Sequence, residues 1–254
     1  MRRMIRLLAV VAVLFIALPA LAGAVFAYAR GWPDSWRSAN WQSSGLLPEA
    51  GAAPGAEVMI LAARTGRWKG IFAEHTWIVM KPEGAAGWVR YEVVGWGNPV
   101  RRDGRAADGY WYGNRPYVVY RLGGPDAARL VPRIEAAVAR YPFAAPGSYT
   151  VWPGPNSNSF VAWVVRAVPG FDAELPAVAI GKDYLGPGIG WARAASGTGF
   201  VVSLNGLFGI TLALEEGLEI NVAGTAIGLD PDDLAVKLPA LGKISLLALF
   251  GAST

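Results

Sequence analysis

The sequence predicts an α+β fold: an N-terminal membrane helix at 1–30, an α+β domain at 56–185 and a β-rich C-terminal extension at 186–254. Three observations carry this reading. Leu7 to Ala29 is an uncharged apolar run of 23 residues behind Arg2, Arg3 and Arg6, long enough to cross a hydrocarbon core as a helix. Between residues 57 and 168, short β-rich runs are interspersed with two stretches of helical periodicity. Beyond Lys182, glycine-rich loops give way to the strand-like runs Phe200 to Leu214 and Leu218 to Leu229.

The leader has two readings. Ala20-Leu21-Ala22 fits a signal-peptidase site with cleavage before Gly23, whereas Tyr28, Trp32, Trp36 and Trp41 stand just beyond the run, where amphipathic rings sit at a membrane surface. The aromatic belt favours an uncleaved anchor, although Trp32 and Trp36, four apart, also suit one face of a short helix. Arginines on its N-terminal side hold that end in the cytoplasm. The globular part is expected across the membrane from that end, behind a single span, which in a Gram-negative cell means anchoring in the bacterial inner membrane and a domain in the periplasm. Residues 31–55 form a Trp-rich juxtamembrane segment that ends in a linker from Ser43 to Ala56.

Within the domain, Glu57 to Ala63 reads as a strand, and His75 to Lys81 with Trp88 to Val94 as a hairpin across Pro82 to Gly87. Tyr117 to Leu122 is a further strand. Asp126 to Tyr141 is helical, with Leu130, Ile134, Val138 and Tyr141 on one face and Pro132 expected to split or bend it. Tyr149 to Trp152 is expected to be extended. Asn156 or Ser157 then caps a helix whose face is Phe160, Val164 and Val168 and which Pro169-Gly170 stops. Phe200 to Leu214 is 15 residues and holds Asn205, Gly206 and Gly209, too short and interrupted for a second span.

Composition removes several function classes. The chain has no Cys and one His, so disulfides, Cys-ligated metals, a cysteine nucleophile and a multi-histidine metal site are excluded. Neither a cofactor nor a metal is expected. The net charge of +4 belongs to the leader, since without Arg2, Arg3 and Arg6 the chain carries 20 basic and 19 acidic side chains, and nucleic acid is not an expected partner. Gly186-Pro187-Gly188 lacks the third glycine of a dinucleotide loop, Gly181-Lys182 is followed by Asp183 rather than Ser or Thr, and no Gly-x-Ser-x-Gly elbow occurs.

What remains is His75 at a strand start and, 82 residues later, Ser157 at a helix N-terminus. Taken alone, each has a plain structural role, the serine as a cap and the histidine as a packed ring. The eleven tryptophans read mainly as core, with a sugar or lipid cleft as the other possibility.

The chain resembles an uncharacterised bacterial envelope family through Ser43-Ser44-Gly45-Leu46, Trp68-Lys69-Gly70-Ile71-Phe72, His75-Thr76-Trp77, Tyr112-Gly113-Asn114-Arg115-Pro116, Trp152-Pro153-Gly154-Pro155-Asn156-Ser157-Asn158 and Gly181-Lys182-Asp183-Tyr184. More remotely, residues 57–170 are similar to the permuted papain-like hydrolases and acyltransferases, the NlpC-type and lecithin-retinol acyltransferase relatives. These place a His at a strand start and, later, Asn-Cys-x-His-Phe or a variant opening a helix. That resemblance implies a papain-like domain with His75 as general base and Ser157 as nucleophile, Asn156 and Phe160 matching the flanking positions. It also implies a polar orienter on the next strand, Glu92, backbone N–H groups of residues 157 to 159 as oxyanion donors, and Asn156, Asn158 and Trp77 as substrate contacts. Ser157 departs from the pattern, because a hydroxyl stays protonated where a thiol ionises readily. The implied activity is a hydrolase or acyltransferase acting on amide or ester bonds of cell-wall peptides or lipids. The alternative is a catalytically silent relative that binds an envelope ligand or serves as a scaffold.

Overall fold

The computed structural model describes residues 3, 6, 10, 13–31, 33, 35–52 and 54–249. Arg2, the Leu7 start of the apolar run and Trp32 lie outside the described residues. A turn of π-helix, Val13–Ala17, leads into helix α1, Leu18–Arg30. Together they make one helical stretch, Val13–Arg30, of 18 residues and mean hydropathy 1.8, long and apolar enough to cross a membrane. It packs on the 3-10 turn Arg67–Ile71 and on the C-terminal region, meeting both at Gly23, where a side-chain carbon would come within 2.7 Å of Ala240 Cβ and 3.3 Å of the Ile71 carbonyl oxygen. Only glycine permits that approach.

Five antiparallel strands, β1 (Glu57–Arg64), β2 (Glu74–Lys81), β3 (Val89–Val93), β4 (Val100–Arg102) and β5 (Tyr117–Gly123), form a sheet in the order β4-β3-β2-β1-β5. β1 and β2 read as nearly unbroken apolar runs because both of their faces are covered. Val58, Ile60, Ile78 and Met80 pack beneath two helices, α2 (Gly124–Ala139) and α3 (Ser157–Ala167). Met59, Leu61, Trp77 and Val79 face a second cluster built on Trp111 and edged by Trp41, Leu46 and Leu47. The segment before β1 is thus fastened to the domain. Asp108 accepts hydrogen bonds from Ser43 Oγ at 2.7 Å and from the backbone N–H of Leu46 and Leu47, and Trp41 stands edge-on to Trp111.

Several local expectations change. Pro132 lies inside an unbroken α2, where Leu130, Val131 and Ile134 are all buried, so packing outweighs the single backbone hydrogen bond that proline removes. Tyr149 to Trp152 is not a strand. β4 was hidden in the polar stretch around Arg101, and β6 (Ile189–Arg193) in what read as a glycine loop.

The C-terminal region is a seven-stranded antiparallel meander of β6, β7 (Gly199–Leu204), β8 (Phe208–Ala213), β9 (Gly217–Val222), β10 (Thr225–Asp230), β11 (Ala235–Leu238) and β12 (Gly242–Ser245), each strand beside the next. The two long runs expected there each divide into two strands. Asn205-Gly206 and Ala223-Gly224 all take positive φ, and the second pair closes a two-residue hairpin between Val222 and Thr225.

Burial in this sheet alternates with period two, but the polar set points inward. Ser203, Thr211, Glu219, Asn221 and Lys237 are buried. Glu219 is held at 2.8 Å by both Lys182 and Lys237, which ties the meander to the domain. Outward, Phe200, Val202 and Leu204 of β7 stand opposite Leu212, Ile210 and Phe208 of β8, which stand opposite Leu218, Ile220 and Val222 of β9. All nine are exposed.

Candidate active site

The register of the β2–β3 hairpin decides the first part of the site. Val79 pairs with Arg90, so Arg90 and Glu92 share a face with His75 and Trp77. His75 Nε2 lies 3.0 Å from Glu92 Oε2, and Arg90 donates to the same oxygen at 2.7 Å. The ring of His75 stacks on Trp111, centroids 3.6 Å apart and planes within 3°. Arg90 lies over the Trp77 ring at 4.2 Å.

Burial pushes His75 below the usual imidazole range, and the opposing pull of Glu92 does not restore it. Burial alone would raise the Glu92 carboxyl, but the hydrogen bond from His75 and the charge of Arg90 outweigh it and hold the group down at about 2. An ionised Glu92 only accepts, so a neutral His75 carries its proton on Nε2 and leaves Nδ1 as the basic nitrogen. Nδ1 has no protein partner among the described residues.

The second part is the N-terminus of α3. Asn156 is the cap: its Oδ1 accepts from the N–H of Asn158 at 2.9 Å and of Ser159 at 3.2 Å, while Ser159 Oγ returns a bond from the Asn156 N–H. Gly181, at φ +95°, packs so closely on this cap that a side-chain carbon would come within 2.5 Å of Asn156 Nδ2. Ser157 is therefore not the cap, and its hydroxyl has no hydrogen-bond partner among the described residues. The N–H groups of residues 158 and 159, expected as oxyanion donors, are consumed by Asn156. Of the three, the Ser157 N–H alone remains.

Asn158 straps this helix to β2. Its Oδ1 accepts from the Thr76 N–H at 3.1 Å and from Thr76 Oγ1 at 2.8 Å, and its Nδ2 donates to the carbonyls of Glu74 at 2.9 Å and Ile180 at 2.8 Å. Two of those partners flank His75 in sequence, so one amide sets the helix start against the histidine.

A cavity of about 830 Å³ joins the two parts. His75, Ser157, Asn156, Asn158 and Trp111, all buried, line it, as do Trp36, Trp68, Trp96 and Trp152, all exposed, and Tyr149. His75 and Ser157 each expose only 4% of their surface, so solvent reaches them through this opening; no direct hydrogen bond joins them. Glu92 lies behind His75 rather than on the wall. Trp77, expected as a substrate contact, is wholly buried and donates to the Ala107 carbonyl at 2.8 Å, because its strand position faces the second core. Asn156 and Asn158 do reach the cavity, with their amides engaged in capping and strapping.

Sequence reasoning missed Arg90, Trp111 and Tyr149. The alternation along Arg90-Tyr91-Glu92 signals Arg90, whereas Trp111 sits in a turn-rich stretch that carried no periodic signal. Glu174, Asp230 and Asp233 also converge, with their oxygens close enough for a cation, but the ammonium groups of Lys237 and Lys243 already lie among them.

Residues 55–184 match the family model described as Protein of unknown function (DUF3750). The chain belongs to the DUF3750 family. The matched segment holds the whole five-stranded sheet, α2, α3, His75, Glu92 and Ser157, and ends before β6. No curated protein and no solved structure matches the chain.

Proposed function

We propose that this DUF3750 protein is a membrane-anchored envelope hydrolase or acyltransferase that cleaves amide or ester bonds of cell-wall peptides or lipids. Ser157 is the nucleophile, His75 the general base and Glu92 its orienter. The observation that carries the reading is an uncommitted Ser157 hydroxyl on the same cavity as a histidine whose Nε2 is pinned by a buried carboxylate. In the first step Ser157 Oγ bonds to the substrate carbonyl carbon while its proton passes to His75 Nδ1. The carbonyl oxygen, now anionic, accepts from the Ser157 N–H at the positive end of α3. His75 then protonates the departing amine or alkoxide as its bond to carbon breaks, leaving an ester on Ser157. Water, or an acceptor alcohol or amine, repeats the sequence and frees the serine.

The remote likeness to papain-like enzymes, with serine replacing cysteine, belongs to this proposal. So does the placement of the helix Val13–Arg30 in the inner membrane and of the domain in the periplasm. The test is turnover of short-chain acyl esters and amides by the full chain in detergent. Hydrolysis abolished by both Ser157→Ala and His75→Ala supports the reading, and turnover unchanged by either contradicts it.

The absence of a direct bond between Ser157 and His75 favours a second reading, a silent relative that binds an envelope ligand in the same cavity. Binding that survives both substitutions, without turnover, selects it. Apo sites often close that gap only on binding substrate, which keeps the enzyme reading first.

A further inference from the structure

The C-terminal meander inverts the pattern that water imposes on a sheet. A half-buried strand ordinarily turns its apolar set inward and its polar set to solvent. Here Glu219 and Lys237 are fully buried on one face, while the opposite face of β7, β8 and β9 is the nine-residue apolar grid. Trp191, four-fifths exposed, extends its middle row from β6, opposite Val202. The grid holds no charged or polar side chain. It exceeds the scattered apolar exposure of a soluble monomer, and polar-in, apolar-out alternation is the arrangement of strands whose outer phase is lipid.

Two contacts say which apolar phase is nearest. Ala240, in the turn between β11 and β12 of this same sheet, receives Gly23 of the apolar helix. At the same end of the sheet, the β9–β10 turn continues directly from Val222 of the grid into the cavity rim. There the Ala223 carbonyl accepts from Trp152 Nε1 at 2.8 Å, and Ala223 and Thr225 line the cavity. Helix and cavity mouth therefore both meet the sheet whose outer face carries the grid. A helix held in a bilayer keeps the domain at high local concentration against lipid, far above that of a second copy. The grid strands lie inside the sheet, flanked by β6 and β10, so their backbone groups are already paired and the face can enter the interfacial region without exposing an unmade hydrogen bond.

We infer that the outer face of β7–β9 docks on the surface of the phospholipid bilayer and turns the cavity mouth toward it, so that the site takes amphiphilic, lipid-borne substrates. The substrate clause rests on the enzyme reading above; the docking rests on the helix as anchor. The chain has no cysteine, so Ile210→Cys in the middle of the grid carries a unique environment-sensitive label. The full chain is reconstituted into phosphatidylcholine vesicles and quenched in turn by bromine-bearing lipid and by aqueous iodide. A control label at Glu83, on the exposed loop between β2 and β3, is treated alike. The expected result is a blue shift, loss of most emission to the brominated lipid and little to iodide at 210, with the reverse at 83. Three results overturn the docking. They are quenching at 210 by iodide alone, shielding from both quenchers with 210–210 disulfide formation in the unlabelled variant, which assigns the face to a second copy, or equal lipid quenching at both labels. Vesicle flotation reads the anchor and ester turnover reads the catalytic site, so a failure of docking is distinguished from a failure of either.

Discussion

His75 Nε2 and Glu92 Oε2 stand 3.0 Å apart on neighbouring strands, and the same carboxylate oxygen takes a hydrogen bond from Arg90 at 2.7 Å. All three side chains are buried, so the carboxylate neutralises Arg90 while fixing the tautomer of His75. Glu92→Gln keeps the shape but leaves the guanidinium without a counter-charge. The expected cost is about 3 kcal/mol, read as a lowered denaturant midpoint. In the folded variant, the acid limb of turnover moves to lower pH, because no carboxylate then favours the imidazolium. A Glu92→Gln protein of unchanged stability and pH profile contradicts the coupling.

The pH dependence of the wild type has a definite sign. His75 is depressed below its ordinary value of 6.5 by burial, so the folded state favours neutral imidazole. Its contribution to stability is complete above 6.5 and diminishes as the pH falls toward the depressed folded value. Glu92 falls from its ordinary value of 4.5 to about 2, so its contribution is complete above 4.5 and is lost on acidification through that interval. Two successive acid losses are expected in urea titrations at stepped pH. The acid limb of turnover should lie below that of a free imidazole.

Asn158 sets the distance between the two halves of the site. Asn158→Asp retains the acceptor for Thr76 but loses both donated bonds and faces the carboxylate toward the Glu74 and Ile180 carbonyls. A loss of roughly 2–3 kcal/mol is expected, with turnover falling more than that of a variant matched in stability. Asn156→Ala removes the cap and should cost about 1–2 kcal/mol. Circular dichroism melts order the two variants.

Glu219 sits between the ammonium groups of Lys182 and Lys237, inside the polar face of the meander. Glu219→Ala leaves the buried Lys182 without a carboxylate partner, while Lys237 keeps Glu174 at 2.6 Å, and should cost about 3 kcal/mol. Limited proteolysis is expected to release residues beyond 184 first, while the five-stranded sheet resists.

Much of the domain was legible because its signals are local. The alternating β-rich runs and the Pro82–Gly87 spacer specify the hairpin, and the Pro-Gly-Pro-Asn turn specifies the start of α3. His75 and Ser157 stood out locally, as the sole histidine at a strand start and a serine at a helix N-terminus, but their joint roles and that of Glu92 came from the resemblance to papain-like enzymes. The roles of the asparagines were not, since whether residue 156 or 157 caps depends on one backbone torsion. Trp77 looked like a contact but faces the core, because a strand residue's face is fixed by pairing with a distant strand. The C-terminal strands were blurred because Asn205-Gly206 and Ala223-Gly224 interrupt runs that otherwise read continuously, and nothing in the alternation says which face meets water.

The central claim is that Ser157 is a nucleophile activated by His75. The most direct measurement is mass spectrometric mapping of the full chain after exposure to a fluorophosphonate, beside Ser157→Ala, His75→Ala and Glu92→Gln. The account predicts a single phosphonyl adduct on Ser157 in the wild type, absent in the first two variants and slowed in the third. No adduct on the folded wild type, or one that forms at an equal rate without His75, contradicts it.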